Sequence, residues 1–422
     1  MADLEDSGQR RAAGRDRGYR RYQPDGLFGE PADSDDPFFD SAPVEIGADG
    51  LPTGVEQEVP GDEPDRIREP FDPESISIET QYVTVDLLLS RLREDMIDLA
   101  PDFQRRAGIW SDIQQSRLIE SLLLRIPVSS FYMAQQENDD WSVVDGIQRL
   151  TAIARFMAPE TVKMPPLILR GLDYLEKQFQ GKGYQELTGR LRIRLRETQL
   201  VVHVIRYGTP EAVKFNVFSR INTGGLPLTR QEIRHAMIPG PARGFLGDLA
   251  EDPTFGEATS WSVSNERMSD REMVLRFMAF RLSPPSGYRQ QDFDQFLADG
   301  MHRINRLSDV ERDHEAVDFR RAMVCAHELF GDHAFRKSLG RSRKTPINKA
   351  LFEAVAVNLA QLTEPERRAL VASGDHVRGG LSNLMKDWDF DRAISIATGD
   401  PKKVRTRFAK VNELFRGVLS GD

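Results

Sequence analysis

Asp145, Gly146, Gln148 and Arg149 stand together where the local pattern changes from strand to helix. Upstream, Trp141, Val143 and Val144 read as a short buried strand, and Asp145-Gly146 is a turn signal. Downstream, Ile147, Leu150, Ile153, Ala154 and Met157 fall on one face of a helix. A strand that turns into a helix through glycine leaves backbone N–H groups, and the positive end of the helix dipole, beside the turn. That arrangement suits an anion. Asp145 would hold a Mg2+ ion or a water there, and Gln148 and Arg149 would meet a phosphate from the first helical turn. The same spacing also has a plain reading. Asp145 and Gln148, three apart, match an N-cap with its capping-box partner, and Arg149 matches a solvated arginine.

Two further stretches carry residues of the same kind. In Leu99 to Arg106, Pro101 rules out a continuous helix, and Phe103 and Trp110 would anchor a loop from which Gln104, Arg105 and Arg106 project. In Phe218 to Arg234, Arg220 and Asn222 precede Gly224-Gly225, which permits positive φ and close approach to a ligand. Thr229 and Glu232 then form a capping box for the next helix. A glycine C-cap followed by an N-cap is the plain alternative here, and a surface loop with ordinary ion pairs is the alternative for Gln104 and Arg105. Neither the Asp145-Gly146 turn nor the Gly224-Gly225 stretch has P-loop spacing.

The elements that position these residues follow from periodicity. Ser75–Val83 reads as extended chain, and Thr84 caps a helix to about Arg93. Ser111 caps a core helix over 112–125 that Pro127 stops. Phe131, Tyr132 and Met133 form a strand that a loop returns into the Trp141 strand. Residues 172–195 read as loosely helical, and Gln199–Ile205 is a β-branched strand. From about residue 240 the pattern is helical, with amphipathic runs at 271–280, 316–330 and 347–362. Arg336, Lys337, Arg341, Arg343 and Lys344 cluster between two of these helices, and are either a basic patch for nucleic acid or a solvated loop.

Composition bounds the function classes. The single cysteine, Cys325, excludes an internal disulfide and any cysteine-based zinc site, and its apolar surroundings make it buried filler. No apolar run approaches a membrane span, and no signal-peptide core is evident, so a cytoplasmic protein is expected. The net charge of -9 argues against a chain uniformly coated for nucleic acid. Residues 1–75 are rich in Asp, Glu, Gly and Pro and are expected to form a disordered charged tail. An arginine cluster from Arg10 to Arg21 opens that tail, and acidic residues such as Asp33, Asp35, Asp36 and Asp40 follow it. The scattered histidines have no zinc-helix spacing.

Taken in order, Pro101-Asp102-Phe103-Gln104-Arg105, Val144-Asp145-Gly146-Ile147-Gln148-Arg149-Leu150-Thr151 and Phe218-Ser219-Arg220-Ile221-Asn222-Thr223-Gly224-Gly225 resemble the N-terminal domain of GmrSD-type, modification-dependent restriction endonucleases. That domain also occurs in SspE-type phage-defence proteins and is similar to the ParB/sulfiredoxin fold. The helix at Arg271–Phe277 and the segment Ala334–Lys337 look like the same family, which extends the resemblance over about residues 76–420. It implies binding and hydrolysis of a nucleoside triphosphate, with Mg2+, coupled to sensing of modified or foreign DNA. Asp145 would be the catalytic or metal-organising acid, Gln148 would position water and Arg149 would hold phosphate. Gln104, Arg105 and Gly146 would line the pocket, with Arg220, Asn222, Gly224 and Gly225 opposite.

Two departures from the family pattern stand out. Ile147 replaces the middle glutamine of Asp-Gly-Gln-Gln-Arg, and an apolar side chain cannot position water, so a nucleotide-gated DNA-binding or adaptor module without turnover is the alternative. No His-rich nuclease signature follows residue 240, so a separate nuclease subunit is expected. The expected fold is α+β. A disordered tail at 1–75 precedes a small mixed sheet with surrounding helices at 76–238, and a mostly helical region follows at 239–422.

Overall fold

The structure, a computed structural model, describes residues 43–47, 50–59, 77–99, 110–210, 213–214, 217, 229–265, 267–289, 292–339 and 344–421. A small hairpin comes first, β1 (Val44–Ile46) and β2 (Pro52–Glu56). The α/β part follows: β3 (Ile78–Thr84), α1 (Val85–Arg93), β4 (Ile97–Asp98), α2 (Asp112–Leu123), β5 (Phe131–Gln135), β6 (Trp141–Asp145), α3 (Ile147–Met157), α4 (Glu176–Phe179), α5 (Gly189–Glu197) and β7 (Gln199–Ile205). The remainder is helical: α6 (Arg230–Met237), α7 (Pro241–Ala250), α8 (Pro253–Ala258), α9 (Ser269–Leu282), α10 (Phe293–Arg306), α11 (Asp309–Phe330), α12 (Lys349–Ala360), α13 (Glu364–Ala372), α14 (Gly374–Leu384), α15 (Trp388–Ser395) and α16 (Pro401–Ser420).

The fold is α+β, as its sequence pattern requires. Helix starts follow local chemistry: Thr84 accepts from Leu87 N–H, and Ser111 and Thr229 each close a capping box, with Gln114 and Glu232. The five-stranded sheet has the order β3-β7-β5-β6-β4. β3 runs antiparallel to β7, β7 parallel to β5, β5 antiparallel to β6, and β6 parallel to β4.

Both faces of the central strands β5 and β6 are buried, which explains their near-continuous apolar runs, whereas the edge strand β3 is largely exposed. Phe131, Met133, Trp141, Val143, Val202 and Val204 face one core, which α1, α2 and α3 complete. Ala134, Val144 and Ile205 point the other way, into the core of the helical part. The boundary expected near residue 238 therefore falls inside shared packing, and the described residues from 43 onward form one compact unit.

The expected tail needs correction where it is described. Residues 44–56 form the β1–β2 hairpin, and Val55 is fully buried in the helical core. Gly54, at φ +80°, lies so close to Ser262 that a Cβ would meet its carbonyl oxygen at 1.6 Å. The acidic residues that made this stretch read as solvated are neutralised by distant cations. Glu45 pairs with Lys349 at 2.7 Å, Glu56 with Lys337 at 2.7 Å, and Glu58 with Arg276 at 2.6 Å. Arg276 also meets Glu272 at 2.9 Å and Glu353 at 2.8 Å, and Glu353 meets Arg407 at 2.5 Å. This network ties hairpin, α9, α12 and α16 together. The segment at 172–195 is likewise not one helix: α4 and α5 are separated by Gly181 and Gly183, with Gly181 at φ +78°.

Candidate functional site

The strand-to-helix junction forms as its residues indicate. β6 delivers Asp145 at its end, Gly146 turns the chain at φ +97°, and α3 begins at Ile147. Glycine is required twice. Its φ lies in the left-handed region, and a Cβ would meet the Phe131 ring at 2.5 Å. The capping-box alternative is not what forms: Gly146 is the N-cap residue and no side chain caps the helix. Asp145 pairs instead with Arg149, at 2.6 Å between Oδ2 and Nη2. The pair spans one helical turn, the i,i+4 spacing that brings side chains together.

Arg149 is more committed than a free phosphate ligand would be. Its Nη1 donates to the carbonyls of Ser129 at 2.5 Å and Ser130 at 3.0 Å, and its guanidinium lies 4.9 Å from the centre of the Phe131 ring. Its side chain is 11% exposed, against 34% for Asp145, so the carboxylate presents the open face of this turn. Gln148 accepts a hydrogen bond from the Trp110 N–H at 3.2 Å, and the Trp110 carbonyl accepts from Gln115 at 2.6 Å. Gln148 thus ties α3 to the end of the segment that carries Gln104 and Arg105. Ile147 points into the sheet core at 4% exposure, away from the open face.

Asp145, Gly146, Gln148 and Arg149 are therefore brought together. Gln104, Arg105, Arg220, Asn222, Gly224 and Gly225 lie outside the described residues, as do Arg341 and Arg343. The other members of the basic cluster do not form a surface patch. Arg336 is 4% exposed and donates to the carbonyls of Asp332, Thr345 and Thr259 and to the Ser262 hydroxyl. Lys337 is engaged by Glu56 and by the Ser395 hydroxyl, both at 2.7 Å. Lys344 pairs with Asp332 at 2.6 Å. Arg336 and Lys337 look like part of a solvated or DNA-facing loop in the sequence because their partners, Thr259 and Glu56, are remote in it.

Sequence reasoning missed Ser129, Ser130 and Phe131, which brace Arg149. Carbonyl acceptors and ring faces leave no signal of residue type, although the Asp145–Arg149 spacing does announce the ion pair. Among the described residues no group of three or more His, Cys, Asp or Glu side chains converges to hold a metal. Mg2+ at Asp145 would have one carboxylate, with Oδ2 already on Arg149, and the rest of its shell would come from nucleotide phosphates and water, a coordination this ion accepts. No described helix is long and apolar enough to cross a membrane. Cys325 is buried as expected, and burial pushes its thiol up to about 12.

Residues 86–239 match the family model described as GmrSD restriction endonuclease, N-terminal domain. The match is shorter than the resemblance over 76–420, and it encloses all three stretches that carry the motif residues. No curated protein and no solved structure matches the chain. With the Asp-Gly-x-x-Arg turn formed inside the matched region, residues 86–239 belong to the GmrSD restriction endonuclease N-terminal domain family.

Proposed function

We propose that this chain is the nucleotide-binding and nucleotide-hydrolysing sensor of a DNA restriction or phage-defence system. The observation that carries the reading is the open Asp145 carboxylate beside a helix N-terminus that no side chain caps. The dipole and N–H groups of α3 favour phosphate oxygens there. Asp145 would hold Mg2+ or the attacking water, and Mg2+ would supply charge neutralisation on the phosphates. Gln148 and Arg149 act by positioning. Arg149 keeps the Asp145 carboxylate aimed, and Gln148 holds the Trp110 backbone against α3.

The alternative, a ParB-like switch that binds without turnover, is favoured by one observation. For Arg149 to meet phosphate it must leave the Ser129 and Ser130 carbonyls, so binding would itself rearrange the segment between α2 and β5. Phosphate release and nucleotide binding, measured together on ATP, GTP, CTP and UTP with Mg2+, with and without DNA, separate the readings. Turnover lost in Asp145→Ala supports the enzyme. Binding without turnover supports the switch. Neither binding nor turnover refutes both. DNA cleavage is assigned to a separate nuclease subunit, and plasmid cutting by the purified chain alone would refute that assignment.

A further inference from the structure

Arg336 and Lys337 are engaged inside the fold, and a different cationic groove opens at the end of the sheet where β6 delivers Asp145. Phe131 pairs with Val202 and Tyr132 with Asp145, so the starts of β5 and β7 and the end of β6 share one end of the sheet. The groove there runs between α5 and the segment that follows α2, and Arg125, Ile126, Arg190, Ile193 and Arg194 line it.

The backbone singles out Arg125. Its N–H donates to the Leu122 carbonyl at 3.1 Å, and the Ile126 N–H donates to the Ser121 carbonyl at 2.8 Å. This is the Schellman ending of a helix, whose left-handed residue is usually glycine. Here it is an arginine at φ +61°. The apolar residue after such an ending ordinarily packs back on the helix, yet Ile126 is 47% exposed toward the groove. On α5 the arginines divide. Arg192 donates to Gln185 and Arg196 pairs with Asp86, whereas Arg190 and Arg194, one turn apart, line the groove with the half-exposed Ile193 between them. Arg194 makes one long bond, 3.5 Å, to the Leu123 carbonyl. Glu197 is the single acidic residue in the lining. In a chain of net charge -9, three arginines lining one groove beside two exposed isoleucines mark a site for a polyanion with apolar faces.

We propose that this groove binds the phosphodiester backbone of DNA, with Arg125, Arg190 and Arg194 on phosphates and Ile126 and Ile193 against sugar faces. The choice of DNA rests on the restriction reading, but the site does not depend on nucleotide hydrolysis.

Labelled duplex and single-stranded DNA of one length, titrated against the full chain without nucleotide over a range of salt, test it. Arg125→Gly is the sharp variant, because glycine suits the left-handed position better than arginine. DNA binding should weaken while the melting midpoint holds or rises. The triple variant Arg125→Gly, Arg190→Gln, Arg194→Gln should lower the slope of log affinity against log salt by about 3 on duplex, or about 2 on single strands, since each phosphate contact releases about 0.9 or 0.7 of a counterion. Arg368→Gln, Arg378→Gln, Arg416→Gln together change net charge equally and should leave the slope near wild type. A triple groove variant that binds like wild type or like this control overturns the site, as does wild-type chain that binds no DNA. Loss of the slope in a chain without NTP turnover supports the groove and sinks only the hydrolase reading.

Discussion

Gly146→Ala tests the geometry of the turn most directly. Two costs add. A non-glycine residue in the left-handed region loses about 1–2 kcal/mol. The new methyl would stand 2.5 Å from Cδ1 and 3.0 Å from Cε1 of Phe131. Phe131 is fully buried, and the Arg149 guanidinium sits over its ring, so it has no room to retreat. Overpacking of that kind costs about 1–3 kcal/mol, for a total of about 2–5 kcal/mol. Urea denaturation followed by circular dichroism measures it. Phe131→Leu separates the two parts, because it removes the ring but not the backbone strain. The double variant should be less unstable than the sum of the singles, with a coupling of about 1–3 kcal/mol. A loss below about 1 kcal/mol in Gly146→Ala would refute both the positive φ and the contact with Phe131, whereas strictly additive singles would refute the contact alone.

Other perturbations probe the remainder. Asp145→Ala breaks a partly exposed ion pair, so it should cost no more than about 1 kcal/mol in denaturation while abolishing phosphate release. Glu353→Ala leaves the buried Arg276 and Arg407 without their shared carboxylate, and a loss of about 3–5 kcal/mol is expected in the same assay. Burial opposes ionisation of Glu58 and Glu272, but Arg276 and Lys349 outweigh it, holding Glu58 at about 2 and Glu272 lower still. Both lie below the ordinary 4.5, so the unfolded chain takes up protons first. Their stabilisation is complete above that value and is lost as pH falls toward about 2, and Glu58→Gln should flatten the acid limb of stability against pH. The Cys325 thiol, buried and pushed up to about 12, should react with a thiol reagent only as fast as the protein opens, and fast labelling of native protein would contradict its burial.

What the chain declares by itself is local. Thr84, Ser111 and Thr229 start helices because their hydroxyls satisfy nearby N–H groups, and no tertiary partner is needed to read that. The strands at Phe131, Trp141 and Gln199 follow from short apolar and β-branched runs, and the turn at Asp145-Gly146 from glycine's freedom. Tertiary structure alone decided which acids and bases are surface. Glu45, Glu56 and Glu58 look solvated in a charged tail, yet their cations lie more than two hundred residues later, and the β1–β2 hairpin exists because Val55 and those pairs close onto the helical core. Arg336 and Lys337 read as a basic patch for the same reason in reverse. At the turn, sequence placed Asp145 beside Arg149, but whether the arginine faces a ligand or braces the fold depends on the Ser129 and Ser130 carbonyls and the ring of Phe131. Main-chain acceptors are common to every residue type, so only the folded chain shows where they point.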